Sequence, residues 1–320
     1  MTRTRSLFSK RVAYGALVVS FLLLAITVLG FAYERAARAG DAQRYPPPGS
    51  MLDVGGHRLH LLCSGEGKPT VIFEAGLGES ALGWARVQRD LARSARVCSY
   101  DRAGMAWSDE GPAPRTAGNG ANELHALLDA SGEPGPYLLV GHSIGGLFTL
   151  RFGAAYPQKV AGIVLVDPSD PKAIRTAGYP WPAIMQARVQ GVLAELGVLR
   201  VFGRSIVPAA VGVTPPPEVL EAVPILYGPR SQATSVAELE ASLTSADEVL
   251  ADEATGYLAT QRLVVISAAD DSADTRAEQE RLARLSKNGR HLVARRGGHY
   301  VHYDDPDLVV DAVRALIAPR

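Results

Sequence analysis

One serine and one histidine stand apart from the rest of the chain by their surroundings. Ser143 lies in Gly141-His142-Ser143-Ile144-Gly145, directly after the apolar run YLLV (137–140) and directly before a helix-like stretch that ends near Tyr156. An apolar run, a glycine-flanked turn and a helical pattern in that order read as a buried strand bending sharply into a helix. Such a bend projects the serine side chain, and the glycines keep neighbouring backbone out of its way. The helix N-terminus then offers N–H groups to negative charge that develops beside the hydroxyl. Serine is a weak nucleophile near neutral pH until a base takes its proton. His299, in Gly297-Gly298-His299-Tyr300, follows the last strand-like run and precedes the final helical pattern, where flanking glycines suit a flexible loop. The chemistry these two imply is acyl transfer, with Ser143 as nucleophile and His299 as base.

In sites built on such a bend the order along the chain is serine, acid, histidine. That order sets aside His57, His60 and His125, which precede the serine and read as surface or packing residues, while His142 reads as packed beside the bend. His302 is the nearest competitor to His299, and His291 falls inside a strand pattern. An oxyanion needs two amide donors, one from the residue after the serine and one from a loop after an earlier strand. Ile144 is the first by position. The second is expected in Glu74-Ala75-Gly76-Leu77-Gly78, where a strand ends in glycines, with the Leu77 amide as candidate.

The elements that must position these groups follow from the hydrophobic pattern. From about Met51 onward short apolar runs alternate with helical patterns, the signature of a mostly parallel sheet flanked by helices. Strands are predicted at 51–54, 58–63, 70–74, 96–100, 137–141, 162–166, 263–267 and 291–294, with Gly55-Gly56 turning the first pair into a hairpin. Runs such as VIF, YLLV, IVLV and LVVI are apolar on both faces, as central parallel strands must be. Helices are predicted at about 81–94, 117–130, 145–156, 276–287 and 306–317. The gap from Asp167 to Gln261 is too long for a structureless loop in a compact domain. It starts rich in proline and then turns helical, notably over 236–250, so an inserted helical cap is expected at about 168–260.

Lys+Arg and Asp+Glu are each 33, so net charge is zero and gives no reason to expect nucleic acid as a partner. Basic residues gather at the N-terminus (Arg3, Arg5, Lys10, Arg11), ahead of an apolar run from Val12 to Tyr33 without a charge. A run of roughly 20 residues can cross the hydrocarbon core as a helix, whereas a cleaved signal has a shorter apolar region. The expectation is a signal-anchor over residues 1–39 with the basic end cytoplasmic and the globular part outside. The small residues of Ala37-Arg38-Ala39-Gly40 leave cleavage and secretion open as the alternative. Residues 40–50 read as a proline-rich linker, and residues 51–320 as the folded domain.

From about Val54 to the C-terminus the chain resembles the α/β-hydrolase superfamily of lipases, esterases and epoxide-hydrolase-like enzymes. The matching pieces are VIFEAGLG, YDRAGMAWSD, LLVGHSIGGL, the long insertion, LVVISAADD and RRGGHYVHYDDPDLV. The resemblance implies an eight-stranded, mostly parallel sheet and a Ser-His-acid triad that needs neither metal nor organic cofactor. It does not name a substrate; an ester-like, apolar small molecule or lipid fits the apolar insertion and the membrane tether, with peptidase and C–C hydrolase activity as further options. In most of the family the acid follows the seventh strand, which points to Asp271 with Asp270 beside it; in some relatives it follows the sixth, here Asp167. Asp271 is preferred by a small margin. Family members usually carry His-Gly where this chain has Ala75-Gly76, which touches the second oxyanion donor. Asp101-Arg102-Ala103-Gly104 resembles the turn after the fourth strand, read here as a local Asp–Arg pair holding the loop. In this fold the second and fourth strands are neighbours, so Cys63 and Cys98 are expected to form a disulfide, which translocation to an oxidising compartment would favour. The competing function is a non-catalytic binding or signalling module tethered to the membrane. Oligomeric state is not legible from this chain.

Overall fold

Why the central runs are apolar at every position becomes plain from the two layers that cover the sheet. In β5 (Tyr137–His142) Leu138 and Val140 point to one face and Leu139 to the other; in β6 (Val160–Val166) Val164 and Val166 oppose Ile163 and Leu165. Successive strand side chains alternate faces, so a strand buried on both sides carries no polar position. The computed structural model describes residues 2–318, with side chains from Val12 onward. The basic side chains of Arg3, Arg5, Lys10 and Arg11 therefore lie outside the description.

Two leading helices, α1 (Thr2–Arg38) and α2 (Asp41–Arg44), precede the sheet. Within α1, Val12–Arg38 is long and apolar enough to cross a membrane, and its apolar window is exposed. The sheet has eight strands in the order β1-β2-β4-β3-β5-β6-β7-β8. Besides β5 and β6 these are β1 (Ser50–Asp53), β2 (Arg58–Ser64), β3 (Thr70–Glu74), β4 (Val97–Tyr100), β7 (Arg262–Ser267) and β8 (Asn288–Val293). β1 and β2 form an antiparallel hairpin, β2 pairs antiparallel with β4, and every other pairing is parallel. At the hairpin turn Gly55 and Gly56 take φ of +104° and +108°, open to glycine alone, and Asp53 Oδ1 accepts from both amides at 2.7 and 3.1 Å. Cys63 and Cys98 face each other across β2 and β4 with a Cα separation of 4.1 Å and are disulfide-bonded.

α4 (Ala117–Ser131) and α5 (Gly145–Ala155) cover the face lined by Leu139, Ile163 and Leu165. α3 (Ala85–Leu91) and α15 (Pro306–Ile317) cover the other, through Val87, Leu91, Val309 and Val313. The predicted helix at 81–94 starts as a 3₁₀ turn, Ala81–Trp84. Thr116 caps α4, its hydroxyl accepting from Asn119 N, and Gly132 ends it at φ +70°.

Between β6 and β7 the chain folds into α6 (Pro171–Ala177), α7 (Trp181–Glu195), α8 (Val198–Val211), α9 (Pro217–Glu221), α10 (Val223–Leu226), α11 (Pro229–Glu240) and α12 (Ser242–Ala254). The predicted single helix over 236–250 is two, broken at Ala241, because α12 must bury Val249 in the main core while α11 lies over the loops after β3 and β4. α13 (Ala273–Ala283) follows β7, and the short α14 (Val301–Asp304) precedes α15.

Candidate active site

β5 ends at His142 and α5 begins at Gly145, which leaves Ser143 on the bend between them. Its φ is +54°, in the left-handed region that a side chain rarely enters. Such a conformation costs of order 1–3 kcal/mol and persists only where the surroundings hold it. Here Ser143 N donates to the Val166 carbonyl at 3.1 Å, and its own carbonyl accepts from Gly146 N at 3.0 Å and Ser169 N at 3.1 Å. Added side chains would collide on either side: a Cβ on Gly145 would strike the Ala75 carbonyl, and one on Gly141 the Thr149 hydroxyl.

His299 arrives on the loop after β8. Its Nε2 lies 2.9 Å from Ser143 Oγ, and its Nδ1 lies 2.5 Å from Asp167 Oδ2. Asp167 follows β6 at φ +43°, pinned by its amide to the Ile266 carbonyl at 2.7 Å. Its second oxygen accepts from Gln279 Nε2 at 2.6 Å. Burial works to raise this carboxyl, but the hydrogen bonds with His299 and Gln279 outweigh it and hold it below the ordinary aspartate value. An ionised Asp167 fixes the tautomer with the proton on Nδ1 and leaves Nε2 facing the serine.

The preference for Asp271 is thereby corrected. Its carboxylate turns back to accept from Ala268 N at 2.9 Å, and burial together with the neighbouring Asp167 pushes it up to about 7. Asp270 is exposed and lies against Gly298 rather than the imidazole.

Among the described residues neither the Ile144 amide nor the Leu77 amide has a protein acceptor. Leu77 follows Gly76, whose amide donates to Glu79 Oε2 at 2.7 Å.

Glu79 is a residue that sequence inspection missed. It is buried and sits 2.7 Å from His142 Nδ1 and 3.3 Å from His302 Nε2. Burial would raise Glu79 and lower His142, yet their mutual attraction prevails: Glu79 falls well below its ordinary value and His142 rises above its own. Burial takes His302 down to about 4, and its ring lies against Glu79, whereas His299 meets Ser143. His142 Nε2 donates to the His299 carbonyl at 2.9 Å. The loop after β3 and the loop carrying His299 are thus joined through the buried Glu79–His142 contact. The available signal was an acid two residues beyond the Leu77 amide, in Gly78-Glu79-Ser80.

The expected Asp101–Arg102 pair does not form. Asp101 Oδ2 bonds His60 Nδ1 at 2.7 Å, which makes His60 a buried packing residue. Arg102 turns the other way, to Glu74 at 2.6 Å and to Glu238 of α11 at 2.6 and 2.8 Å. It also donates to the carbonyls of Ala75 and Gly76 at 2.5 and 2.9 Å. It therefore braces the loop after β3 against the insertion. His57 and His125 lie against Glu123 and Asp129 at 3.5 and 3.2 Å, and His291 bonds Ser267 at 2.7 Å.

A cavity of about 390 Å³ lies between α7 and α8, its lining dominated by aliphatic residues such as Leu193, Leu199, Ile206 and Val207, and it reaches Leu77 and Tyr300. A larger one of about 600 Å³ lies near Tyr45, Trp107 and Arg230, and neither cavity is lined by Ser143, His299 or Asp167 themselves.

A sequence profile described as the alpha/beta hydrolase fold matches residues 69–205. An AB hydrolase superfamily protein of Gibberella zeae is 25% identical over 291 residues, covering 78% of this chain and 86% of that protein. The chain spans only 18, 21 and 40% of the length of three curated relatives that match it at 36–37% identity. The enol-lactonase of Burkholderia xenovorans LB400 superposes with a TM-score of 0.64 at 20% identity, over 83% of this chain and 99% of that one. A thermophilic esterase of Thermogutta terrifontis gives 0.63 at 21% identity, over 84% and 99%.

Proposed function

Because the chain has the α/β-hydrolase fold, we propose that it is a serine hydrolase cleaving carboxylic esters with an aliphatic acyl chain, anchored to a membrane by α1. The observation that carries this reading is the unbroken hydrogen-bonded series Ser143 Oγ–His299 Nε2 at 2.9 Å and His299 Nδ1–Asp167 at 2.5 Å. A series of this kind moves a proton from a hydroxyl to an imidazole and stabilises the resulting cation.

In the proposed reaction Ser143 Oγ attacks the ester carbonyl while His299 Nε2 accepts its proton. The carbonyl oxygen becomes an oxyanion held by the Ile144 and Leu77 amides. Collapse breaks the ester C–O bond, and His299 returns the proton to the departing alkoxide. Water then attacks the acyl-serine, again with His299 as base, releasing acid and free Ser143. Leu77 lies at once on the oxyanion loop and on the wall of the 390 Å³ cavity, so an acyl chain extending from the reacting carbon has an apolar slot of suitable size. A serine at the bend favours acyl transfer over displacement by a carboxylate.

Fluorophosphonate labelling of the purified full chain, together with a series of p-nitrophenyl esters, tests it. The reading expects labelling that disappears in Ser143→Ala, and kcat/KM rising from acetate to octanoate. Equal labelling of the two proteins would sink it in favour of a non-catalytic module.

A further inference from the structure

The joint between α1 and the inserted helices is built rather than incidental. Arg200 of α8 holds two carboxylates at once: Glu34 of α1 at 2.7 and 2.9 Å, and Asp41 of α2 at 2.7 and 2.8 Å. Glu34 is 1% exposed and Asp41 8%. Arg38 reaches Glu195 at the end of α7 at 3.1 Å. At Gly30 a Cβ would lie 2.7 Å from the Leu196 carbonyl, and at Gly197 one would lie 3.0 Å from the Tyr33 ring. A guanidinium fork on two buried carboxylates is a directional contact, unlike a swivelling linker.

The joint fixes a depth. The apolar run of α1 ends at Tyr33, and the end of α7 touches Gly30, three residues before it. At 1.5 Å per residue that is about 5 Å inside the limit of the run. On α7 itself Trp181, Met185, Val189 and Val192, spaced four, four and three apart, form one helical stripe. Each is 51–58% exposed, with Val201 and Phe202 of α8 at 55 and 59%. The opposite side of the same two helices, through Ala187, Leu193 and Val207, lines the cavity that reaches Leu77 and Tyr300. An apolar stripe about 17 Å long, flanked by an interfacial tryptophan, is a surface suited to lipid rather than water.

We propose that the outer face of α7 and α8 is embedded in the same bilayer leaflet that α1 leaves, and that the substrate, a membrane-resident acyl ester, enters the cavity sideways from that leaflet. This rests on the anchored serine-hydrolase reading above and adds the surface and the route. The occupant is lipid because the joint ties the end of α7, the helix that carries the stripe, to the apolar run of α1 about 5 Å inside its limit.

The test uses the full chain in phosphatidylcholine vesicles, with and without lipids brominated along the acyl chain. Trp84 is 1% exposed and Trp107 donates to the Tyr45 carbonyl, so the difference between wild type and Trp181→Phe isolates Trp181 emission. Brominated lipid is expected to quench most of that emission. Quenching by aqueous acrylamide with no bromine effect would overturn the proposal and point to a water-exposed or protein-covered face. The double variant Val189→Asp/Val192→Asp is expected to cleave a long-chain ester dissolved in the vesicles roughly tenfold more slowly, equivalent to about 1.4 kcal/mol. It should hydrolyse soluble p-nitrophenyl acetate at the wild-type rate; unchanged rates on both substrates would refute the route. Separate controls distinguish the underlying readings: failure to float with vesicles defeats the anchor and this proposal with it. Wild type without fluorophosphonate labelling defeats the hydrolase reading, and with it the entry route for an ester, whatever bromine reports of the face.

Discussion

Two regions of this molecule solve opposite problems. Around Ser143 backbone and side chains are held in place: a left-handed serine and a left-handed aspartate, each tied to a neighbouring strand, and buried carboxylates each with a partner. Across α7 and α8 the pattern inverts, with large apolar side chains exposed and the buried carboxylates paired at the joint with α1, while other polar contacts such as Arg188 to Glu240 are exposed. Preorganised polar groups suit chemistry, where a fraction of an ångström matters. An apolar surface of that extent suits selection and delivery of an apolar substrate. On the proposed reading the sheet fixes the reaction and the insertion decides what reaches it.

The sharpest way to break the first region is through its acid. Asp167→Asn is expected to lower kcat by roughly 10⁴, the scale seen when a triad carboxylate loses its charge, while Asp271→Asn stays within about threefold. Steady-state kinetics on a soluble ester separates them. The brace between the regions comes next: Arg102→Met would leave Glu74 and Glu238 buried without their cation, at a cost of about 3–5 kcal/mol in urea unfolding. Removing the disulfide with Cys63→Ala/Cys98→Ala opens a loop spanned by 35 residues, and the chain-entropy scale puts the loss at about 3–4 kcal/mol.

Smaller effects read the charges inside the site. His142 is raised above its usual value, so its share of stability is complete below pH 6.5 and is lost as pH rises through its folded value. Glu79 is lowered, so its share is present above pH 4.5 and lost as pH falls through its folded value. The pair is thus worth most between those limits, and Glu79→Gln should lower Tm there most strongly. Asp271, raised to about 7, stabilises while protonated and loses that contribution as pH climbs from about 4 through 7. Asp271→Asn should therefore show a shallower fall of Tm across that range, the smallest effect of the set.

What the sequence disclosed follows the same division. The fold was legible because strands buried on both faces carry an unmistakable run of apolar residues and the glycines at 141 and 145 mark close backbone approach. Ser143 and His299 could be proposed from that frame, since a bend and a terminal loop locate them. The acid could not be singled out, because Asp167 and Asp271 each follow one of two neighbouring parallel strands, directly after β6 and four residues beyond β7, and three-dimensional reach decides between them. Arg102 was misassigned for a related reason: adjacent residues leave a strand end in opposite directions, so sequence neighbours bond to different partners. The break at Ala241 and the joint at Arg200 are tertiary facts with no local signature.

The most direct test of the central claim is the rate of Ser143 phosphonylation, followed by intact-protein mass after mixing with a fluorophosphonate. The account predicts rapid single-site modification of wild type and of Asp271→Asn, a rate lower by orders of magnitude for Asp167→Asn, and none for Ser143→Ala. Modification of Asp167→Asn at the wild-type rate, or of any residue other than Ser143, would contradict it.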